Sequence, residues 1–99
     1  MPTLEELRER ARARQELSGR LKQLVVDRLD VPTEAEWITD DQALFGRGLE
    51  LDSVDALELV VGIEFDYAVS ITDDQVGVFG SINTLADHIE DELGEIPTV

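Results

Sequence analysis

Apolar residues in the first third of the chain fall at Leu4, Leu7, Ala11, Leu17, Leu21, Leu24, Val25 and Leu29. Most of the steps are three or four, which places side chains on one face of an α-helix, so the spacing predicts a helix between Thr3 and Leu29. Thr3 and Glu6 stand at the spacing of a capping box, and Pro32 lies just past the end. Ser18-Gly19 interrupts the pattern and leaves two readings: one bent helix, or a short leading helix followed by a first bundle helix from about Leu17. From Val31 to Leu51 the periodicity disappears. Pro32, Gly46 and Gly48 punctuate this stretch, and Trp37, Ile38, Leu44, Phe45 and Leu49 read as anchors that pin a long loop onto the bundle. Long loops in compact domains are usually functional.

Helical spacing returns between Ser53 and Tyr67, opened by Asp52 as N-cap with Asp55 in the first turn. Leu59, Ile63 and Tyr67 form one stripe at steps of four, and Val54, Leu57 and Val61 form a second, rotated from the first. A small bundle needs one such stripe for its core, so the second is expected to be partly exposed. After Ile71, Thr72-Asp73-Asp74 reads as the cap of a short helical turn, with Val76, Val78 and Phe79 supplying packing. Ser81 caps a last helix carrying Ile82, Leu85, Ile89 and Leu93, which Gly94 and Pro97 end. No strand pattern competes and no repeat is visible. The predicted fold is all-α: a small bundle of three main helices and one short helix, with a long loop between the first and second helices and an extra N-terminal helical segment. The organisation read from it is an extension over 1–16 and a domain over 17–99.

Composition narrows the function. A chain of 99 residues, 42% hydrophobic and 31% charged, supports one globular domain. The longest apolar runs, Leu59 to Val61 among them, are far too short to span a bilayer, and no leader pattern opens the sequence, so a cytoplasmic, monomeric protein is the expectation. The net charge of −15 is uneven: residues 1–28 hold seven of the eight basic residues against five acids, whereas residues 29–99 hold Arg47 alone against eighteen acids. Phosphate binding needs clustered Lys and Arg, which excludes nucleic acid as a partner class. A basic protein surface is the partner that such a field favours. The arginines at 8, 10, 12 and 14 read as a solvated helix surface. Asp40-Asp41 and Asp73-Asp74 are carboxylate pairs, but no loop has EF-hand ligand spacing, and no metal is expected. With no cysteine, any thiol chemistry has to come from something attached.

The residue that stands out is Ser53. Asp52 already occupies the capping position, so the hydroxyl one place inside the helix is spare. Nucleophilic catalysis would need a base held by a third group. The single histidine, His88, lies between Asp87 and Ile89 on the last helix with no such companion, and exposed aspartates are too weak as bases at neutral pH. Modification suits the position better: a phosphate ester in the first turn lies near backbone N–H groups and the positive end of the helix dipole. A flanking aspartate at about 7 Å opposes it by only roughly 0.6 kcal/mol in water.

Asp52-Ser53-Val54-Asp55, followed by Leu57, Glu58, Leu59 and Val60, resembles the triplet and apolar-acidic helix of the acyl carrier proteins and related phosphopantetheine carriers. The resemblance spans about Leu17 to Leu93 and includes Leu49, Tyr67, Ile71, Ile82, Leu85 and Ile89. It implies that Ser53, beside Asp52, carries a 4'-phosphopantetheine arm added from coenzyme A by a phosphopantetheinyl transferase. Acyl or related groups would ride on the arm's thiol as thioesters, with catalysis left to acyl-loading, acyl-transfer or condensing enzymes that dock through basic patches. On this reading the second stripe, with Val54, Asp55, Leu57, Glu58 and Val61, is the partner-facing surface, and Glu64 and Asp66 are further acids beside it. Three features depart from the family pattern: Glu50 where glycine is usual, Arg47 where the family is acidic or neutral, and residues 1–16. Together they favour a specialised lipid, polyketide or other pathway over the housekeeping fatty-acid carrier. The alternative reading is an acidic helical adaptor that binds a basic protein without any arm.

Overall fold

The computed structural model describes residues 1–29, 34–44 and 53–97, with all-helical secondary structure among them. Helix α1 spans Leu4–Leu29, α2 spans Ser53–Tyr67 and α3 spans Ile82–Leu93; a 3-10 turn at Ala35–Trp37 follows α1, and a 3-10 segment at Asp73–Gly80 precedes α3. Of the anticipated features, Pro32, Phe45, Gly46, Arg47, Gly48, Leu49, Glu50 and Asp52 lie outside the described residues.

The first helix is continuous through Ser18-Gly19. A glycine inside a helix costs only about 1 kcal/mol relative to alanine, and here Leu17, Leu21 and Val25 are fully buried on either side of it. Ser18 itself is buried, and Gly19 looks onto open space. At the N-terminus, the Glu6 N–H donates to Thr3 Oγ1 at 3.1 Å, the backbone half of the anticipated box.

Core packing follows the inner stripes. Leu17, Leu21 and Val25 of α1 meet Leu59 and Ile63 of α2 and Ile82, Leu85, Ala86 and Ile89 of α3, with Val69, Ile71 and Phe79 closing the end between α2 and α3. Ile38 and Leu44 of the first loop are buried in the same cluster, as anchors should be. The loop is fastened by its backbone as well: the Leu44 N–H donates to Gly80 O at 3.2 Å and the Asn83 N–H to Asp40 O at 2.9 Å, while Lys22 pairs with Asp40 at 2.7 Å.

Ser81 and Thr84 form a reciprocal capping box at the start of α3: the Thr84 N–H donates to Ser81 Oγ at 3.2 Å and the Ser81 N–H to Thr84 Oγ1 at 2.9 Å. Gly94 ends the helix at φ 71°, a left-handed conformation that glycine takes without steric cost. At the start of the Asp73–Gly80 segment, the Thr72 N–H donates to Gln75 Oε1 at 3.0 Å.

Three expectations need correction. Trp37 is not an anchor: it is 71% exposed, because its immediate neighbour Ile38 takes the inward position of the turn. Arg14 is not on a solvated surface: it pairs with Asp87 at 2.7 Å and with Glu90, and donates to Asn83 O at 3.1 Å, tying α1 to α3. Leu93 is 38% exposed, since it lies at the last turn, where α3 leaves the core.

Candidate functional site

Helix α2 begins at Ser53. Its inner stripe, Leu59 and Ile63 with the half-buried Tyr67, packs on the core, which fixes how the rest of the helix faces outward. Val54 is 72% exposed, Leu57 64% and Val61 49%. Phe65 extends this row by one more step of four and is the most exposed of the four. The sequence reading passed over Phe65, although its position four residues after Val61 was the available signal.

The acids around this row are not equivalent. Glu64 and Asp66 are exposed, and Asp55 in the first turn is half-buried. Glu58 already has a partner within the chain: Arg28 Nη1 donates to its Oε1 at 3.0 Å. Arg28 reaches it by crossing Gly62, where a β-carbon would come within 2.6 Å of Arg28 Cδ. Nothing in the spacing of the sequence joined Arg28 to Glu58, which are thirty residues apart.

Two properties of the start of α2 bear on a phosphate ester there. The first turn of a helix directs N–H groups and a positive partial charge toward its start, and the strong exposure of Val54 places this end of α2 at the surface. His88, the chain's one histidine, has Nε2 3.5 Å from Ser70 O and stands on α3. Among the described residues no group of three or more His, Cys, Asp or Glu side chains is arranged to hold a metal ion, and no helix is long and apolar enough to cross a membrane. The described geometry thus sets a helix start beside an exposed apolar row.

Comparison with known proteins agrees in extent and kind. The family model described as the phosphopantetheine attachment site matches residues 19–89, a span that includes the whole of α2. The acyl carrier proteins of two strains of Porphyromonas gingivalis are each 36% identical over 78 residues, covering 79% of this chain and 96% of the relative. The matched span, the helical fold and the near-complete coverage of these relatives together establish that the chain belongs to the acyl carrier protein family, carriers rather than enzymes, which bear 4'-phosphopantetheine covalently.

Proposed function

We infer that Ser53 is the residue that carries the arm and that the outer row of α2 is where partner enzymes dock. The observation that carries this reading is the place of Ser53: it opens α2 within the matched segment, in the run Asp52-Ser53-Val54-Asp55. When bound, the group supplies a terminal thiol that holds acyl cargo as a thioester, a chemistry this cysteine-free chain lacks. The chain's own work is to present Ser53 at the surface, to set the phosphodiester beside the positive end of α2 and to offer a surface that partners recognise.

Complete burial of Leu57, Val61 or Phe65 against a partner would contribute about 1.5–3 kcal/mol per side chain. The acids around them act mainly on encounter: a surface of net charge −15 attracts basic patches on the transferase and on acyl-loading, acyl-transfer or condensing enzymes. We assign the carrier to the cytoplasm, as its composition suggests, and, on the strength of Arg47, Glu50 and the N-terminal extension, to a specialised lipid, polyketide or related pathway.

The test is intact mass after incubation with coenzyme A and a broad-specificity phosphopantetheinyl transferase, with Ser53→Ala in parallel. The wild-type chain should gain the mass of the arm and the alanine variant should not. An unchanged wild-type mass, with a control carrier modified in the same reaction, would favour the armless adaptor; a gain that survives Ser53→Ala would move the site elsewhere.

A further inference from the structure

Among the described residues, most of the large exposed apolar side chains fall in two rows, with Met1, Trp37 and Leu93 outside them. One is Val54, Leu57, Val61 and Phe65 on α2; the other is Leu4 and Leu7, 66% and 47% exposed, with Ala11 on the first turns of α1. The α1 row continues, at steps of three and four, into Arg14, Ser18, Leu21 and Val25. Below Arg14 that seam is roofed by α2 and α3; residues 1–12 are all exposed. Arg14, held by Asp87 and Glu90, marks where the cover stops.

The charges beside the two rows are opposite. At roughly 3.6 residues per turn, Arg8 and Arg12 fall on one flank of the Leu4-Leu7-Ala11 row and Arg10 on the other, while Glu5, Glu6 and Glu9 fall on the far side. By the same count, Glu58 and Glu64 flank the α2 row on its two sides. The lengths are also close: residues 4–13 of α1 and residues 54–65 of α2 run about 15 and about 18 Å along their axes at roughly 1.5 Å per residue.

The two rows cannot meet within one chain. Arg28, at the far end of α1, contacts Glu58, and Arg20 and Leu24 border a recess with Asp66 and Tyr67. The two helices therefore run antiparallel, with the uncovered start of α1 beyond the end of α2. The outer row of α2 stays exposed beside α1, which touches it only at its edge through Arg28 and Glu58.

We propose that two copies of this chain associate reciprocally, the N-terminal turns of α1 from each copy lying on the outer row of α2 of the other. The occupant is a second copy because the acidic, apolar-centred surface that an arginine-flanked apolar helix fits is present on this same chain. Reciprocal exchange closes a two-fold dimer and uses each contact twice. A lipid surface fits less well, since Glu5, Glu6 and Glu9 balance Arg8, Arg10 and Arg12 and leave the segment without the net positive charge that anionic headgroups attract. This association replaces the monomer that composition suggests, and it occupies the row assigned above to partner enzymes, so self-association and docking compete. The inference rests on the exposed rows and not on the arm, and it holds whether or not Ser53 is modified.

The experiment is sedimentation velocity of the unmodified full-length chain from about 10 μM to about 1 mM, a range that brackets weak reversible contacts, at low and high salt. The expected result is a shift from monomer to dimer mass with concentration at both salts, since salt screens the repulsion between two chains of net charge −15 as well as the Arg–Glu contacts. Leu4→Ser with Leu7→Ser should abolish the shift, and so should Phe65→Ser with Val61→Ser, with circular dichroism confirming that both variants stay folded. Arg8→Glu with Arg12→Glu should do the same, and mixing it with Glu58→Arg/Glu64→Arg should restore a mixed dimer. A wild-type chain that stays monomeric throughout overturns the proposal. So does a dimer that survives the α2 substitutions, which would place the α1 row on another surface, or one that survives the α1 substitutions. Addition of vesicles containing anionic lipid serves as the competing case: co-sedimentation of wild type but not of the Leu4/Leu7 variant, without dimer, would assign the row to a membrane and overturn the dimer.

Discussion

Arg28 in the last turn of α1 reaches over Gly62 and holds Glu58 of α2 at 3.0 Å. A carboxylate on the helix proposed for docking is thus already engaged within the chain, and on that proposal a partner's arginine would share it or displace Arg28. Partly exposed pairs of this kind contribute about 0–1 kcal/mol. Arg28→Gln should therefore lower stability by less than about 1 kcal/mol while making Glu58 available. Acyl transfer by a cognate basic enzyme is expected to become faster at low salt and more salt-dependent. A transfer rate indifferent to the substitution would show that Glu58 has no part in docking.

The same contact makes a prediction about Gly62. Alanine is the better helix former by about 1 kcal/mol, yet its β-carbon would strike Arg28 Cδ and approach Leu24 Cδ1 to 3.2 Å. Gly62→Ala should destabilise the wild-type chain by about 1–3 kcal/mol, as overpacking does, and should be far better tolerated beside Arg28→Ala. Urea unfolding of the two single variants and the double variant measures this coupling; additive effects would mean that Leu24, not Arg28, is the obstacle.

Stability and transfer should separate across the two faces of α2. Leu59 is fully buried, and Leu59→Ala is expected to cost about 2–5 kcal/mol. Leu57→Ser, Val61→Ser and Phe65→Ser lie on the exposed row, where substitutions change stability by about 0.5 kcal/mol or less. Their effect should appear as a raised KM for partner enzymes. Unfolding of these variants in proportion to lost transfer would send the search for the docking surface to the loop between Leu44 and Leu51.

At the N-terminus, the structural boundary of the bundle is expected just before Arg14. A chain beginning at Ala13 keeps the contacts of Arg14 with Asp87, Glu90 and Asn83 and should unfold at nearly the wild-type temperature. A chain beginning at Gln15 loses charge-assisted hydrogen bonds at a half-buried site and should be less stable by about 1–3 kcal/mol. Thermal melts of the two chains distinguish a dispensable extension from one that reaches into the bundle.

Glu34 and Glu36 stand together at the exposed 3-10 turn. A hydrogen bond with the Glu34 carboxyl, and then its charge, raise the pKa of Glu36 above its ordinary value of 4.5. The folded chain consequently holds more protons than the unfolded chain in that window, so this pair's contribution to stability declines as pH rises through it. Carboxyl-resolved NMR titration should show Glu36 titrating late, and Glu34→Ala should return it to the ordinary range. The effect is confined to acid pH and should leave transfer near neutrality unchanged.

Much of this molecule was legible in the order of its residues because local chemistry decided it. Ser81, Gly94 and the step-of-four row Leu59-Ile63 specify helix ends and an inner face without reference to anything distant. The exposure of Val54, Leu57 and Val61 followed from counting two rows where one was needed. What escaped was decided by tertiary contact. The choice between Trp37 and Ile38 as the inward residue depends on the direction of a turn. The partners of Arg14 and Arg28 come from helices separated by long stretches of chain, so Arg14 read as solvated and nothing local to the sequence pointed to the pairing of Arg28. Phe65 was legible and overlooked, because the aromatic ring reads as core until the register of the helix is followed one step further.

The exposure of Trp37 has a spectroscopic consequence. The chain contains one tryptophan, and its indole is bathed in solvent in the native state. Its emission should already be red-shifted and should change little when the core melts, so fluorescence will under-report unfolding that circular dichroism records plainly. The same property makes it a quiet background lamp: a blue shift on mixing would signal a surface laid over the first loop, read without any label.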